Sequence, residues 1–308
     1  MKIVIVGAGA MGGLFAARLG AAGETVSVVD IWQEHIDVIN TQGLSLEAEN
    51  GTIVAHPVAV TRIEDIPSAD LIIIFVKSSM TGAAAQSALR IMGPAARVLT
   101  LQNGLGNAEI IAGVVGPERV LAGTTAQGAT LLGPGHIRHG GKGDTHIGRL
   151  SGAADEFCRE VAQIFSRAGI PTLAEDEVQS LIWGKLVINV GINALTALLK
   201  FRNGQLADFA ETKELVKMAV EEAVQVAAAA GIALPYEDAV NKVLAVAEAT
   251  RENVSSMLQD IRNHRMTEID AINGALVREG ERLGAPTTVN RTLTLLIRTL
   301  EKNAGGSM

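Results

Sequence analysis

The sequence predicts an α/β protein in which a doubly wound parallel sheet is followed by an all-helical domain. Three observations carry that expectation. Gly7-x-Gly9-x-x-Gly12 follows the apolar run Ile3-Val4-Ile5-Val6 and opens a helix-like segment closed by Gly23. In that context Gly7 permits the sharp strand-to-helix turn, Gly9 lets backbone approach a pyrophosphate, and Gly12 lets helix pack on strand, which is the Rossmann-type arrangement. Short apolar runs then alternate with helix-like segments as far as about Leu150, as parallel strands joined by crossover helices require. Beyond Asp176 no strand pattern recurs, only helical periodicity.

Taken in order, Lys2–Val6, Thr25–Val29, Leu71–Val76, Arg97–Leu101 and Val120–Thr125 read as strands. Helical patterns at Met11–Ala22, Gln33–Thr41, Gly82–Met92 and Ala108–Val115 supply the crossovers. Ala129 to Arg149, turned by Gly133-Pro134-Gly135 and Gly140-Gly141-Lys142-Gly143, reads as antiparallel strands added at one edge of that sheet. After a helix near Ala153–Ala168, Gly169-Ile170-Pro171 marks the expected boundary. This gives residues 1–170 as the dinucleotide-binding domain and 171–308 as the helical, substrate-binding one. The helices of the second are Val178–Leu199, Glu211–Ala230, Tyr236–Thr250, Met257–Leu283 and Thr287–Lys302, with Asn303–Met308 expected to fray. A cleft between the two domains, at the carboxyl ends of the strands, is where a cofactor and a substrate are expected to meet.

With 308 residues, 48% hydrophobic and 19% charged, the chain is large enough for two ordinary cores. A net charge of −7 gives no long-range attraction to nucleic acid or an anionic membrane, so small molecules are the expected ligands. Cys158, the single cysteine, has no internal disulfide partner, and no Cys/His spacing suits a metal. Met1 leads into a strand without a charged leader, and the longest apolar helical stretch is interrupted by Asn189 and Asn193. A cytoplasmic protein that neither enters nor crosses a membrane is therefore expected. A homodimer through the helical half is left open.

Several residues could carry chemistry. Asp30 ends the second strand, within the roughly 20-residue distance of the glycine turn at which a carboxylate grips a ribose diol. Gly7, Gly9, Ala10, Met11 and Gly12 form the phosphate-binding turn and helix start. In Trp183-Gly184-Lys185-Leu186-Val187-Ile188-Asn189-Val190-Gly191-Ile192-Asn193, three polar residues recur at every fourth position. Such steps drift by only about 40°, so Lys185, Asn189 and Asn193 share one side of the helix. An ammonium and two amides on an apolar helix either face a polar cleft or meet compensating groups from elsewhere. Gly184 and Gly191 suggest that another backbone approaches this helix closely.

Ser256-x-x-Gln259 has capping-box form, making Ser256 the start of a helix whose N–H groups favour a carboxylate; a cap followed by a solvated charged face is the plainer reading. On one continuous helix Ser256 and Glu268 would lie about 120° apart. Lys77 and Asn103 follow apolar strands at positions where α/β sheets bind ligands, though each also fits a solvated strand end or an ordinary Asn-Gly turn. The six histidines show no repeated ligand spacing and are given no role; His136, His139 and His146 fall in the expected hairpins.

Together GAGAMG, VKS after a buried strand, LQNGLGN, WGKLVINVGINALTAL and SSMLQDIRNHRMTEIDAINGALV resemble the ketopantoate reductase family over nearly the whole chain. The resemblance implies an enzyme that uses NADPH to reduce the 2-keto group of 2-dehydropantoate to (R)-pantoate. It implies that Lys185 polarises the substrate carbonyl and delivers the proton, with Asn103 beside the nicotinamide. Asn189, Asn193 and Ser256 match substrate-holding positions, Glu268 the carboxylate that receives a substrate hydroxyl and pairs with the lysine, and Lys77 a further active-site lysine.

One position departs from the family pattern. Members using NADPH commonly carry a basic residue after the second strand, whereas this chain reads Val28-Val29-Asp30-Ile31-Trp32. A carboxylate there repels a 2′-phosphate and suits a 2′-hydroxyl, so NADH is the expected cofactor within an NADH-or-NADPH choice. NADH-linked relatives reduce other bulky 2-keto acids to D-2-hydroxy acids, mandelate dehydrogenases among them, which is the alternative activity. The Lys185-x-x-x-Asn189 spacing is also similar to 3-hydroxyacid dehydrogenases, but Ser256 to Asn273 fits less well there. A silent NAD(P)-binding sensor is the remote alternative, distinguished by loss of the lysine, asparagine or glutamate, all of which are present.

Overall fold

The computed structural model describes residues 1–305, which divide into two compact units: residues 1–102 with 107–178, and residues 103–106 with 179 onward. The first unit begins β1 (Lys2–Val6), α1 (Ala10–Ala21), β2 (Thr25–Val29), α2 (Gln33–Gln42). It continues β3 (Leu44–Ala48), β4 (Gly51–Ala55), β5 (Val58–Val60), β6 (Ala69–Ile74), α3 (Thr81–Ala88), β7 (Met92–Thr100), α4 (Asn107–Val115) and β8 (Val120–Thr125). It closes with β9 (Ala129–Gly133), β10 (His136–His139), β11 (Thr145–Arg149), α5 (Glu156–Arg167) and β12 (Thr172–Ala174).

The main sheet runs β12-β11-β8-β7-β6-β1-β2-β5, parallel throughout except where β11 pairs antiparallel with β8. This is the doubly wound sheet expected from the alternating runs. Its central strands are apolar on both faces, and Ile3, Ile5, Leu71, Ile72, Ile73 and Leu99 are fully enclosed, as strands covered by helices on both sides must be. Phe15 of α1 meets Phe75 and Phe165 with ring centroids 5.0 and 5.4 Å apart, tying α1 to the end of β6 and to α5.

Three local differences from the sequence reading have physical causes. Only β11 joins the sheet edge; β9 and β10 instead pair with β3 and β4 in a second sheet ordered β4-β3-β10-β9. That sheet buries Leu44, Leu46 and Ile137 and packs on α1, where a Cβ at Gly13 would lie 1.9 Å from Ile137 Cδ1. α3 stops before Met92 because Met92 is taken into β7 opposite Ala69. Gly169-Ile170-Pro171 turns the chain into β12, which pairs with β11, and the first unit continues to Val178.

The second unit holds α6 (Val178–Leu199), α7 (Ala210–Ala229), α8 (Ala239–Ala249), α9 (Ser256–Arg262), α10 (Asn273–Leu283) and α11 (Thr288–Gly305). Among described residues α6 alone is long and apolar enough to cross a membrane, and 67% of that stretch is buried inside the protein. Gly184 and Gly191 do permit close approach, but by side chains and not by backbone. A Cβ at Gly191 would lie 2.7 Å from Val243 and 2.9 Å from Val220, and one at Gly184 would lie 2.7 Å from the Pro235 ring. α8 starts at Ala239 because Asp238 caps it, accepting from Asn241 N at 2.9 Å. The continuous helix expected over Met257–Leu283 is broken: α9 ends at Arg262, His264 adopts φ +51°, and residues 263–272 form a turn before α10. α11 carries Asn303–Gly305 as helix where fraying was expected; residues 306–308 lie outside the described residues.

Gly12 is closed off by backbone, which cannot swing aside as a side chain can. A Cβ there would lie 1.9 Å from the Gly7 carbonyl oxygen. Gly12→Ala is expected to destabilise the protein by about 1–3 kcal/mol, seen as a lower urea midpoint with an unchanged m-value.

Candidate active site

The glycine turn is built as a cradle. Gly7 has φ +94°, a conformation that favours glycine, and a Cβ there would lie 2.8 Å from Val76 N, two residues past β6. Gly9, by contrast, faces open space: an added Cβ meets nothing within 4 Å. Gly9 is also the N-cap of α1 and supplies no side-chain acceptor, so the first N–H groups of that helix, on Ala10 and Met11, are directed at whatever binds there. Asp30 follows β2, with Oδ2 accepting from Ala8 N at 2.8 Å and Oδ1 from Trp32 N at 3.0 Å. Two acceptor positions remain on the carboxylate for the hydroxyls of a ribose. An open Gly9, uncapped helix amides and a fixed carboxylate fit a dinucleotide. Exposed Ile31 and half-exposed Trp32 flank Asp30, and residues 28–38 contain no lysine or arginine.

Lys77 is exposed one residue beyond Val76, so the strand end that carries it abuts the glycine turn. The intervening loop is held by Gln102, a residue that sequence reasoning quoted only within its motif. Gln102 Nε2 donates to Val76 O at 2.6 Å, and Oε1 accepts from Thr100 Oγ1 at 2.8 Å.

In the second unit three predicted residues converge. Asn103 Nδ2 donates to Glu268 Oε2 at 3.1 Å, and the same carboxylate acts electrostatically on Lys185 of α6. The Lys185 side chain is half-buried while its ammonium is surrounded by protein. Burial pushes its pKa down to about 8, and the Glu268 carboxylate holds it from falling further. What places Asn103 is its neighbour. Gly104 has φ +87° and lies so close to the loop before α10 that a Cβ would be 2.1 Å from Ala271 O, the carbonyl that accepts from Leu105 N at 2.9 Å. The break between α9 and α10 lets Glu268 occupy a turn there instead of a helix face.

Asn189 and Asn193 follow Lys185 along α6, half-buried and buried respectively, while Leu186, Val187, Val190 and Ala194 are packed away. Ser256 is the first residue of α9, but the cap is Ser255, whose hydroxyl accepts from Leu258 N at 3.2 Å; Gln259 Nε2 donates to Val254 O. The capping box expected at Ser256-x-x-Gln259 is therefore not formed, which leaves the Ser256 hydroxyl exposed. Buried Ser255 and Thr196 hydroxyls lie 2.7 Å apart and tie the start of α9 to α6 just past Asn193.

The sequence reading also missed His35 and Tyr236. Tyr236 donates to the Gly184 carbonyl at 2.8 Å, beside Lys185. His35 is 1% exposed and bonds the turn residue Ala8. Its position four residues before Ile39 and next to Ile36, on the buried face of α2, was the available signal.

The description "Ketopantoate reductase PanE/ApbA" matches residues 3–152, and its C-terminal counterpart matches residues 177–301. The chain belongs to the ketopantoate reductase family. A protein named 2-dehydropantoate 2-reductase from Halobacterium salinarum is 37% identical over 304 residues, which cover 98% of this chain and 100% of the relative. The crystal structure of a PanE/ApbA family ketopantoate reductase from Ralstonia eutropha superposes with a TM-score of 0.91 at 32% identity, covering 99% of this chain and 100% of that one. A ternary structure of D-mandelate dehydrogenase with NADH and anilino(oxo)acetate gives 0.92 at 31% identity, covering 99% of each chain.

Gly104→Ala tests the placement of Asn103. Strain at φ +87° and overlap with Ala271 should displace Asn103 from Glu268, and a misplacement of about 1 Å can cost on the order of 100-fold in rate. Reductase kcat/KM at a temperature where the variant remains folded by circular dichroism is expected to fall by at least tenfold.

Proposed function

We propose that this chain is a cytoplasmic 2-dehydropantoate 2-reductase that prefers NADH. The observation carrying this reading is the Lys185, Glu268 and Asn103 cluster, in a chain whose relatives are named for that reaction. A bound reduced nicotinamide supplies the hydride. As hydride reaches C2 of the keto acid, the carbonyl π bond breaks and its electron pair moves onto oxygen. The Lys185 ammonium stabilises that charge and gives the oxygen a proton, leaving a neutral amine to be reprotonated from water. Glu268 keeps the ammonium charged against burial and, through Asn103, is fixed in place. Asn189, Asn193 and the exposed Ser256 hydroxyl hold the polar groups of the substrate, and Lys77 contributes a second cation.

A second reading, a dehydrogenase of the mandelate type acting on another bulky 2-keto acid, is favoured by Asp30. No cation accompanies that carboxylate between residues 28 and 38, and a neighbour of similar fold is a D-mandelate dehydrogenase bound to NADH. Initial rates with 2-dehydropantoate, benzoylformate and 2-ketoisovalerate, each with NADH and NADPH at equal subsaturating concentration, separate the readings. 2-Dehydropantoate with NADH is expected to give the highest kcat/KM. Faster turnover with NADPH removes the cofactor preference, and faster turnover of benzoylformate moves the substrate assignment to the second reading.

The pH dependence tests Lys185. Reduction needs the ammonium, so its kcat/KM should fall as pH rises through about 8, while oxidation of the hydroxy acid, which needs the neutral amine, should rise through the same value. Glu268→Gln removes the charge that raises the Lys185 pKa, so both inflections should move to lower pH; an unmoved inflection assigns the titration to another group. Lys185→Ala should lose most turnover while still binding NADH.

A further inference from the structure

His35 lies in the first turn of α2 with its ring enclosed and both nitrogens bonded. Nε2 is 2.9 Å from the Ala8 carbonyl oxygen, and Nδ1 is 2.9 Å from the Gly135 backbone nitrogen. The Gly135 N–H can only donate, so Nδ1 must accept. The proton is therefore on Nε2, which donates to Ala8, and the ring is neutral. Burial acts in the same direction, pushing the imidazole pKa below its ordinary value although the nearby Asp30 carboxylate raises it. Trp32 stacks on the ring at 5.2 Å and 8° and closes its outer face.

Ala8 is the middle residue of Gly7-Ala8-Gly9, and both of its backbone polar atoms are held from the β2–α2 connection: its N–H by Asp30, its carbonyl by His35. In a planar trans peptide the C=O and the following N–H point in opposite directions. Turning the Ala8 carbonyl toward His35 thus turns the Gly9 N–H away from His35, and Gly9 itself leaves room for a ligand, since an added Cβ there would meet nothing within 4 Å. Gly135 extends the brace to the second sheet, where its own carbonyl accepts from Ser45 N at 2.8 Å.

We infer that His35 is a positioning residue for the cofactor: it orients the Ala8–Gly9 peptide so that the Gly9 amide is presented to the pyrophosphate of the bound dinucleotide. The inference rests on reading the glycine turn as a dinucleotide cradle.

Two near-isosteric variants separate its two bonds. His35→Gln places an amide nitrogen near the Nε2 position and keeps the donor to Ala8; His35→Asn places an oxygen near the Nδ1 position, keeping the tie to Gly135 and losing the donor. By calorimetric titration, His35→Asn should weaken NADH binding roughly tenfold and His35→Gln by no more than about threefold, the range expected for one net hydrogen bond. In turnover the loss should appear in KM for NADH, with KM for the keto acid and the pH inflection of Lys185 unmoved. Equal weakening by both variants in step with a lowered Tm, or unchanged NADH affinity in folded His35→Asn, overturns the inference. If His35→Asn does not fold, 15N spectra of the wild-type protein carry the test: a neutral Nε2–H ring and a Gly9 amide that shifts on NADH addition are expected. A cationic or Nδ1–H ring, or an unmoved Gly9 amide, overturns it. A wild-type protein that binds neither NADH nor NADPH defeats the cradle reading itself, a failure distinct from that of His35.

Discussion

A lysine ammonium surrounded by protein is tolerable only beside a negative charge, and in this chain that charge is Glu268. The pairing constrains everything around it. Glu268 comes from outside α6, and the turn between α9 and α10 delivers the carboxylate. The turn is in turn pinned by residues 103–106, whose Leu105 amide bonds the Ala271 carbonyl and whose Gly104 alone can fit against it. Asn103 completes the set by donating to the carboxylate. Desolvation lowers the lysine pKa and the carboxylate raises it; their balance leaves it at about 8, which suits the proton-donor role proposed for it.

The glycine turn is organised on the same principle, with backbone in place of a charge. Gly7, Ala8 and Gly9 have no polar side chains to hold it, so groups from elsewhere do so: Asp30 and His35 take the two polar atoms of Ala8, and Val76 closes on Gly7. Asp30 therefore braces the turn, and in the proposed cradle its remaining lone pairs are the ones a ribose would meet. Its carboxylate is fixed by the Ala8 and Trp32 amides, and residues 28–38 contain no lysine or arginine.

Legibility in the sequence followed the range of the interactions involved. β1, β2, β8 and α6 have the bounds read from apolar periodicity, because their signal lies within the element itself. β3, β4 and β5 escaped notice: besides adjacent β4, β3 needs β10, which arrives some ninety residues later, and three-residue β5 is fixed only by pairing with β2. The break after Arg262 carries no glycine or proline; it is made by His264 at positive φ and by Arg265 N bonding the Asp260 carbonyl. Lys185, Asn189 and Asn193 were readable as a polar stripe because helix geometry alone aligns them. The link of Asn103 to Glu268 was not, since it depends on a docked loop. His35 looked like one histidine among six, and only its burial and the opposed senses of its two bonds distinguish it.

The two parts of the chemistry differ in what they demand of the chain. A dinucleotide phosphate is met by amide groups, whose directions are set by which carbonyls are tied down behind them; in the proposed cradle buried His35 ties down that of Ala8. A keto acid undergoing reduction develops charge on one oxygen, which calls for a single cation whose proton can leave. Arginine would supply the charge but retain the proton; a lysine with its pKa lowered by burial supplies both. In the proposed reaction that requirement accounts for an otherwise costly feature, an ammonium on an apolar helix with one carboxylate beside it.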